Sequence, residues 1–251
     1  MSVWEQSLLV VGHRGGRGDG WPPENTMAAF ERARDMGARA VELDVRTCAG
    51  GEVVVFHDAT LERMTGSSDR RRVSEMPRSA LAQLDLGGGA RVPSLVEVLG
   101  WARACEVAVN VELKHDVPSR LDLARAAVAA FRAQPADVLW SSFDPLLLAI
   151  VAVLLPVSRR ALLVESRGSA WADRLDWLAY RPFVTALHSD ARRPRERAAR
   201  CAKRGLRWGV WTVNDPHEAT DLVALGARTV ITDAPDMVLA ALAGSSAPMD
   251  R

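Results

Sequence analysis

Two hydrophobic rhythms take turns along the chain. Short apolar or period-two runs at Leu8–Val11, Ala40–Val45, Val53–Phe56, Val107–Leu113, Val138–Phe143, Arg160–Val164, Pro182–His188, Leu206–Val213 and Thr229–Thr232 predict strands. Between them, apolar residues at helical spacing predict helices over Glu24–Met36, Ser94–Cys105, Leu121–Arg132, Pro145–Leu155, Trp171–Tyr180, Arg195–Arg204, Asp215–Leu225 and Pro235–Leu242. The punctuation agrees: Ser94 with Glu97 forms a capping-box pattern, Pro216 suits a first helical position, and Gly205 and Gly226 suit C-caps. Setting Val53–Phe56 aside as an excursion leaves eight strands, each followed by a helix. Strict β/α alternation over this length argues for a parallel sheet covered by helices, and eight regular units without a linker favour a closed (β/α)8 TIM barrel over an open sheet. Residues 57–93 interrupt the rhythm after the second strand and are expected to form a small insertion within a single catalytic domain spanning residues 1–251.

Composition narrows the partners. There are 32 basic against 31 acidic residues, so the formal charge is +1, and no global positive field exists to hold nucleic acid. No apolar run is long enough to span a bilayer, so no membrane insertion is expected. Three scattered cysteines, Cys48, Cys105 and Cys201, make neither a disulfide framework nor a metal cluster, and Met1 to Val11 lacks the pattern of a signal peptide. These features point to a reducing compartment, the cytoplasm. Function must reside in particular side chains.

In a barrel, reactive groups come from the C-terminal ends of strands. Those ends carry His13-Arg14, Glu42 and Asp44, Glu112 and Lys114, Ser142, His188, Trp211 and Asp233. Glu42 and Asp44 share one strand face, with Val41, Leu43 and Val45 on the other; Asn110, Glu112 and Lys114 alternate likewise with Val109, Val111 and Leu113. Three carboxylates aimed at one point repel one another without a cation. Their oxygens suit a hard divalent ion, Mg²⁺, Ca²⁺ or Mn²⁺, although an ion-pair network with Arg14 and Lys114 is the alternative. His13 and His57 can divide general acid and general base work near neutral pH. Arg14 offers a planar fork to phosphate oxygens and Lys114 a point charge. The set reads as metal-assisted phosphoryl chemistry.

Several ordered stretches resemble the glycerophosphodiester phosphodiesterase family. They are His13-Arg14-Gly15, Pro23-Glu24-Asn25-Thr26, Val41-Glu42-Leu43-Asp44-Val45, Val54-Val55-Phe56-His57-Asp58, Val111-Glu112-Leu113-Lys114, Val210-Trp211-Thr212-Val213-Asn214 and Ile231-Thr232-Asp233-Ala234-Pro235. The resemblance covers nearly the whole chain, from Val10 to about Val238. It implies a TIM-barrel hydrolase that converts a small-molecule glycerophosphodiester to an alcohol and glycerol 3-phosphate with a divalent metal. On matching positions, Glu42, Asp44 and Glu112 would hold the metal, His13 and His57 would form the acid/base pair, and Arg14 and Lys114 would bind phosphate. The insertion would lie over the glycerol end of the substrate, and Trp211 would form an apolar wall. Two other readings are a lysophospholipase D-type enzyme and a non-catalytic barrel that serves as a binding module.

Weaker signals complete the reading. His188, expected at a strand end, either contacts substrate or bonds within the barrel. The glycine-rich stretch Gly15 to Gly20 matches no phosphate-binding fingerprint and is expected to be a flexible loop, with Arg17 placed to meet an anionic substrate. Ala49, where the family often carries Asp, puts the geometry of the following turn in question.

Overall fold

A computed structural model describes residues 2–66, 69–165 and 184–245 of the 251. The strands are β1 (Leu9–Gly12), β2 (Ala40–Thr47), β3 (Val53–Val55), β4 (Ala108–Leu113), β5 (Val138–Ser142), β6 (Arg159–Val164), β7 (Ala186–Asp190), β8 (Arg207–Trp211) and β9 (Thr229–Thr232). The described helices are α1 (Met27–Asp35), α2 (Glu62–Thr65), α3 (Arg78–Leu81), α4 (Leu95–Ala104), α5 (Arg120–Ala133), α6 (Pro145–Leu154), α7 (Pro194–Arg204), α8 (Pro216–Ala224) and α9 (Pro235–Ser245). The sheet order is β1-β9-β8-β7-β6-β5-β4-β2, and a further β1–β2 pairing closes it into an eight-stranded parallel barrel. β3 lies outside the closed ring, antiparallel to β2. The helix expected over Trp171–Tyr180 lies outside the described residues, as does the start of the strand expected from Pro182.

Alternation decides which residues face which layer. Val41, Leu43, Val45, Val109, Val111 and Leu113 turn outward and pack with Phe30, Leu95, Leu99 and Leu123 of the surrounding helices. Full burial of each such side chain contributes about 1.5–3 kcal/mol, so the sheet–helix interface is the main source of cohesion. The opposite faces of the strands supply Leu9, Val11, Ala40, Ala108, Leu139, Ala161, Ala186 and Ile231, which cluster with Val3 and Trp4. Alanines and larger aliphatic residues together fill the lower barrel, and the N-terminal turn packs against its floor: Trp4 Nε1 donates to the Asp137 carbonyl at 3.2 Å. The upper barrel is left for polar groups.

Local chemistry sets the element ends. The capping box of α4 forms as the spacing predicts, with Glu97 N donating to Ser94 Oγ and Ser94 N donating to the Glu97 carboxylate. Helix α1 starts later than Glu24: Thr26 is its N-cap, and Asn25 takes a φ of 59°, a conformation no helix contains. The β2–β3 turn tolerates Ala49 because Gly50 and Gly51 supply the left-handed conformations, at φ 90° and 85°. Residues 56–93 carry short helices over a cluster of Cys48, Val54, Phe56, Leu61, Val73, Met76, Leu81, Leu86 and Val92. Among the described residues, no helix is long and apolar enough to cross a membrane.

Candidate active site

Parallel register brings the carboxylates together. Asp44 on β2 lies opposite Glu112 on β4, and Glu42 lies opposite Asn110 two pairs below. Ligand oxygens of Glu42, Asp44 and Glu112 all fall within 4.8 Å of one another, and all three residues are buried. Two cations meet part of that charge. Lys114 Nζ donates to Glu112 at 2.8 Å and to Asp44 at 3.3 Å, and Arg14 Nε lies 3.1 Å from Asp44. Burial opposes the charge on Asp44, but the Lys114 ammonium and the Arg14 guanidinium outweigh it and hold its carboxyl below the usual range. Glu42 fares otherwise: burial, then the charges of Asp44 and Glu112, push its carboxyl well above the usual range. Glu112 is driven up to about 7, by burial first and by Asp44 second. Two cations therefore face three buried carboxylates, and Glu42 is left with the Arg14 amide at 3.0 Å and His13 Nε2 at 3.9 Å. A buried, carboxylate-rich set of hard oxygens short of positive charge fits a divalent cation such as Mg²⁺, Ca²⁺ or Mn²⁺.

The imidazoles stand on either side, each held by a carboxylate. His13 Nδ1 lies 2.7 Å from Asp233 Oδ1, and His57 Nδ1 lies 2.6 Å from Asp58 Oδ1. An ionised carboxylate only accepts, so each Nδ1 is the donor and each Nε2 is left as the working nitrogen. For His13 that nitrogen is 3.9 Å from Glu42. Burial lowers the His57 pKa, so this ring is neutral near pH 7 and able to accept a proton.

A network of arginines fixes the loop that carries His13. Arg14 has a φ of 53°, held there by its amide donating to Glu42 Oε2 at 3.0 Å and by its guanidinium on Glu24 at 2.8 Å. A non-glycine residue in this region costs on the order of 1–3 kcal/mol and persists where surroundings over-determine it, commonly at functional sites. Arg17 grips Asp233 through two bonds of 2.8 Å, and Asn214 Nδ2 donates to the same carboxylate at 3.0 Å. Two glycines of the loop sit in close contact with their surroundings. A Cβ on Gly15 would sit 2.7 Å from Ala29, and one on Gly16 would sit 2.5 Å from the Trp21 ring, so here glycine permits close packing. Arg46, buried beneath, donates to the His57 carbonyl at 2.8 Å and bridges to Asp116, tying two loops.

These groups open onto one cavity of about 340 Å³. Its lining includes His13, Arg14, Arg17, Glu42, His57, Asn110, Glu112 and Lys114 with Ile231 of the adjacent β9, and Phe143, Leu163, Glu165, Trp211 and Thr212 from the β5 to β8 ends. Trp211 packs edge-on against Phe143 with ring centroids 5.3 Å apart, and its Nε1 donates to the His188 carbonyl at 3.1 Å. His188 itself is elsewhere. Strand β7 runs on to Asp190, so His188 is one layer below the rim, fully buried against Gly209 and absent from the cavity lining. Burial pushes its pKa down to about 3, so the ring is neutral. The structure thus places His188 beneath the cavity rather than on its lining, with neither ring nitrogen in a hydrogen bond.

Asp233, Asp58, Glu24 and Asn110 escaped assignment from sequence. Asp58 was adjacent to His57 in the chain, and Asn110 shared a face with Glu112. Asp233 carried the same strand-end signal as His13, but only barrel closure puts the two strands side by side.

The geometry has close counterparts. Over 243 residues the chain is 28% identical to a glycerophosphodiester phosphodiesterase of Caldanaerobacter subterraneus subsp. tengcongensis, covering 92% of this chain and 96% of that one. A structure of a glycerophosphoryl diester phosphodiesterase (so described provisionally) from Silicibacter pomeroyi superposes with a TM-score of 0.85 at 26% identity, covering 96% of this chain and 95% of that one. An Oleispira antarctica phosphodiesterase, solved in complex with the product sn-glycerol-3-phosphate, gives 0.82 at 26% identity, covering 94% and 96%. The glycerophosphoryl diester phosphodiesterase family model matches residues 13–237. That match takes in both imidazoles, all three clustered carboxylates and Asp233, and the chain belongs to the glycerophosphoryl diester phosphodiesterase family, a family of hydrolytic enzymes.

Proposed function

We propose that this enzyme hydrolyses glycerophosphodiesters to an alcohol and glycerol 3-phosphate, with a divalent cation held by Glu42, Asp44 and Glu112. The observation that carries the reading is convergence. Two carboxylate-oriented imidazoles, three crowded buried carboxylates, and Arg14 and Lys114 all line or border one cavity. The product-bound Oleispira antarctica structure supports the substrate class.

The net reaction consumes one water. An O–P bond forms, the P–O bond to the departing alcohol breaks, one proton leaves the attacking oxygen and one reaches the leaving oxygen. His57, neutral near pH 7, takes the first proton on Nε2; His13, with Nδ1 committed to Asp233, delivers the second from Nε2. Arg14 and Lys114 face non-bridging phosphoryl oxygens and oppose their developing charge. When bound, the cation supplies Lewis-acid polarisation of the phosphodiester. Phe143 and Trp211 exclude water from the opposite wall and pack against the carbon skeleton of the substrate. The cluster beneath residues 56–93 places Asp58 and Arg63 beside the site, where Arg63 donates to Asp58 and to Glu24 at 2.6 Å each.

The test is a panel of glycerophosphodiesters and lysophospholipids incubated with purified protein and Mg²⁺, Ca²⁺ or Mn²⁺. Release of glycerol 3-phosphate from the small diesters is expected. No release from any of them under any cation would refute the reading and favour a silent barrel.

A further inference from the structure

Asn110 is an anomaly in the floor of the cavity. It is 1% exposed, it lines the cavity, and neither its Nδ2 nor its Oδ1 has a hydrogen-bond partner. A buried primary amide brings two donors and a carbonyl acceptor, and leaving all of them unmade is costly. On the neighbouring strand, the Ser141 hydroxyl is fully buried and equally unpartnered, and it is paired in register with Glu112. Both orphaned groups therefore adjoin the carboxylate cluster: Asn110 beside Glu42 across the β2–β4 pair and Ser141 beside Glu112 across the β4–β5 pair. The amide is thus left able to meet something that enters the cavity.

The chemistry of the cluster says what that is. Three carboxylates offer few oxygens to an ion that takes six to eight, and a neutral oxygen adds a ligand without the repulsion that a fourth carboxylate would bring to the cation-free barrel. An asparagine carbonyl is a hard oxygen donor without charge, a recurrent choice for Mg²⁺ and Ca²⁺ sites. We propose that Asn110 is the neutral member of the cation site, its Oδ1 directed at the ion or at a water in its hydration shell, with Ser141 supporting the same shell. This rests on the three-carboxylate cation site proposed above and extends it by a residue that the carboxylate motif does not contain.

The experiment measures cation binding to the whole, chelator-stripped protein by isothermal titration calorimetry, without substrate, using Mg²⁺, Ca²⁺ and Mn²⁺ separately. Asn110→Leu keeps the size and removes the amide. Loss of a polar partner around a metal site typically weakens binding about 10- to 100-fold, and that loss is expected with unchanged circular dichroism and a melting temperature no lower than the parent's. Asn110→Asp keeps the oxygen and adds charge, so it is expected to bind more tightly than the parent. Should Asn110→Leu misfold, Asn110→Asp decides alone. Parent-like affinity in Asn110→Leu, or in Asn110→Asp, overturns the role of Asn110 while leaving the carboxylate site standing. Absence of binding by the parent protein to all three cations overturns the carboxylate site, and the role of Asn110 with it.

Discussion

The two halves of the barrel share one exterior and differ inside. At the cavity, β1, β2, β4 and their loops carry His13, Arg14, Glu42, Asn110, Glu112 and Lys114, with Asp44 beside them; around β5 to β8 the lining is mainly Phe143, Leu163 and Trp211 with the carboxylate of Glu165, while Ser141 and His188 lie buried beneath. On the outside both halves present the same Val, Leu and Ala pattern to their helices. A buried charge needs a partner or a ligand, whereas a buried aromatic needs only contact. The polar half therefore records a chemical requirement, and the apolar half records the shape of what it acts on. The lesson is that the interior of such a barrel, above its packed floor, is where sequence departs from what folding alone asks for.

Substitutions in the polar half should have the larger consequences. His57→Ala and His13→Ala are each expected to lower kcat about 10²- to 10⁴-fold with native circular dichroism; near-parental turnover in either would remove that residue from the acid/base pair. Glu24 comes next, through stability. It is buried and ion-paired with Arg14, Arg17 and Arg63, and although burial opposes its charge, Arg63 and Arg14 lower its pKa from 4.5 to about 2. A depressed carboxylate stabilises the fold fully above its unfolded pKa and loses that contribution as pH falls through the folded one. Denaturation measured by pH should show a loss of up to about 3 kcal/mol between pH 4.5 and 2, and Glu24→Gln should lack that segment of the profile.

The apolar half should respond in affinity. Trp211→Ala is expected to raise KM about 10-fold with a smaller change in kcat; the opposite split would place Trp211 in the chemistry and blur the division between halves. The smallest effect carries an unusual sign. Since Glu42 is held above its usual range by burial and by its neighbours, Glu42→Gln should raise the cation-free melting temperature slightly, while added Mg²⁺ or Ca²⁺ should no longer shift it. Thermal melts with and without cation check both statements.

Much of this was legible in the sequence because the informative signals are local. Period-two alternation placed Glu42 and Asp44 on one face and Glu112 with Lys114 on another, and the parallel register then made them neighbours. What was hidden depends on closure or on a single residue of register. His13 and Asp233 are 220 residues apart and meet only because β1 pairs with β9. His188 was placed at a rim that lies two residues further on, at Asp190. Glu24 and Asn25 look helical by composition, yet Asn25 adopts a left-handed backbone so that its side chain can donate to Asp44 at 2.9 Å. Such residues give up local propensity to the site, and local propensity is what sequence patterns report.

The most direct test of the account is glycerol 3-phosphate release from small glycerophosphodiesters by protein stripped with chelator, before and after divalent cation is restored. The account predicts negligible release from the stripped protein, recovery on adding Mg²⁺, Ca²⁺ or Mn²⁺, and no recovery in Asp44→Asn. Full release from stripped protein, indifferent to both cation and Asp44, would contradict it.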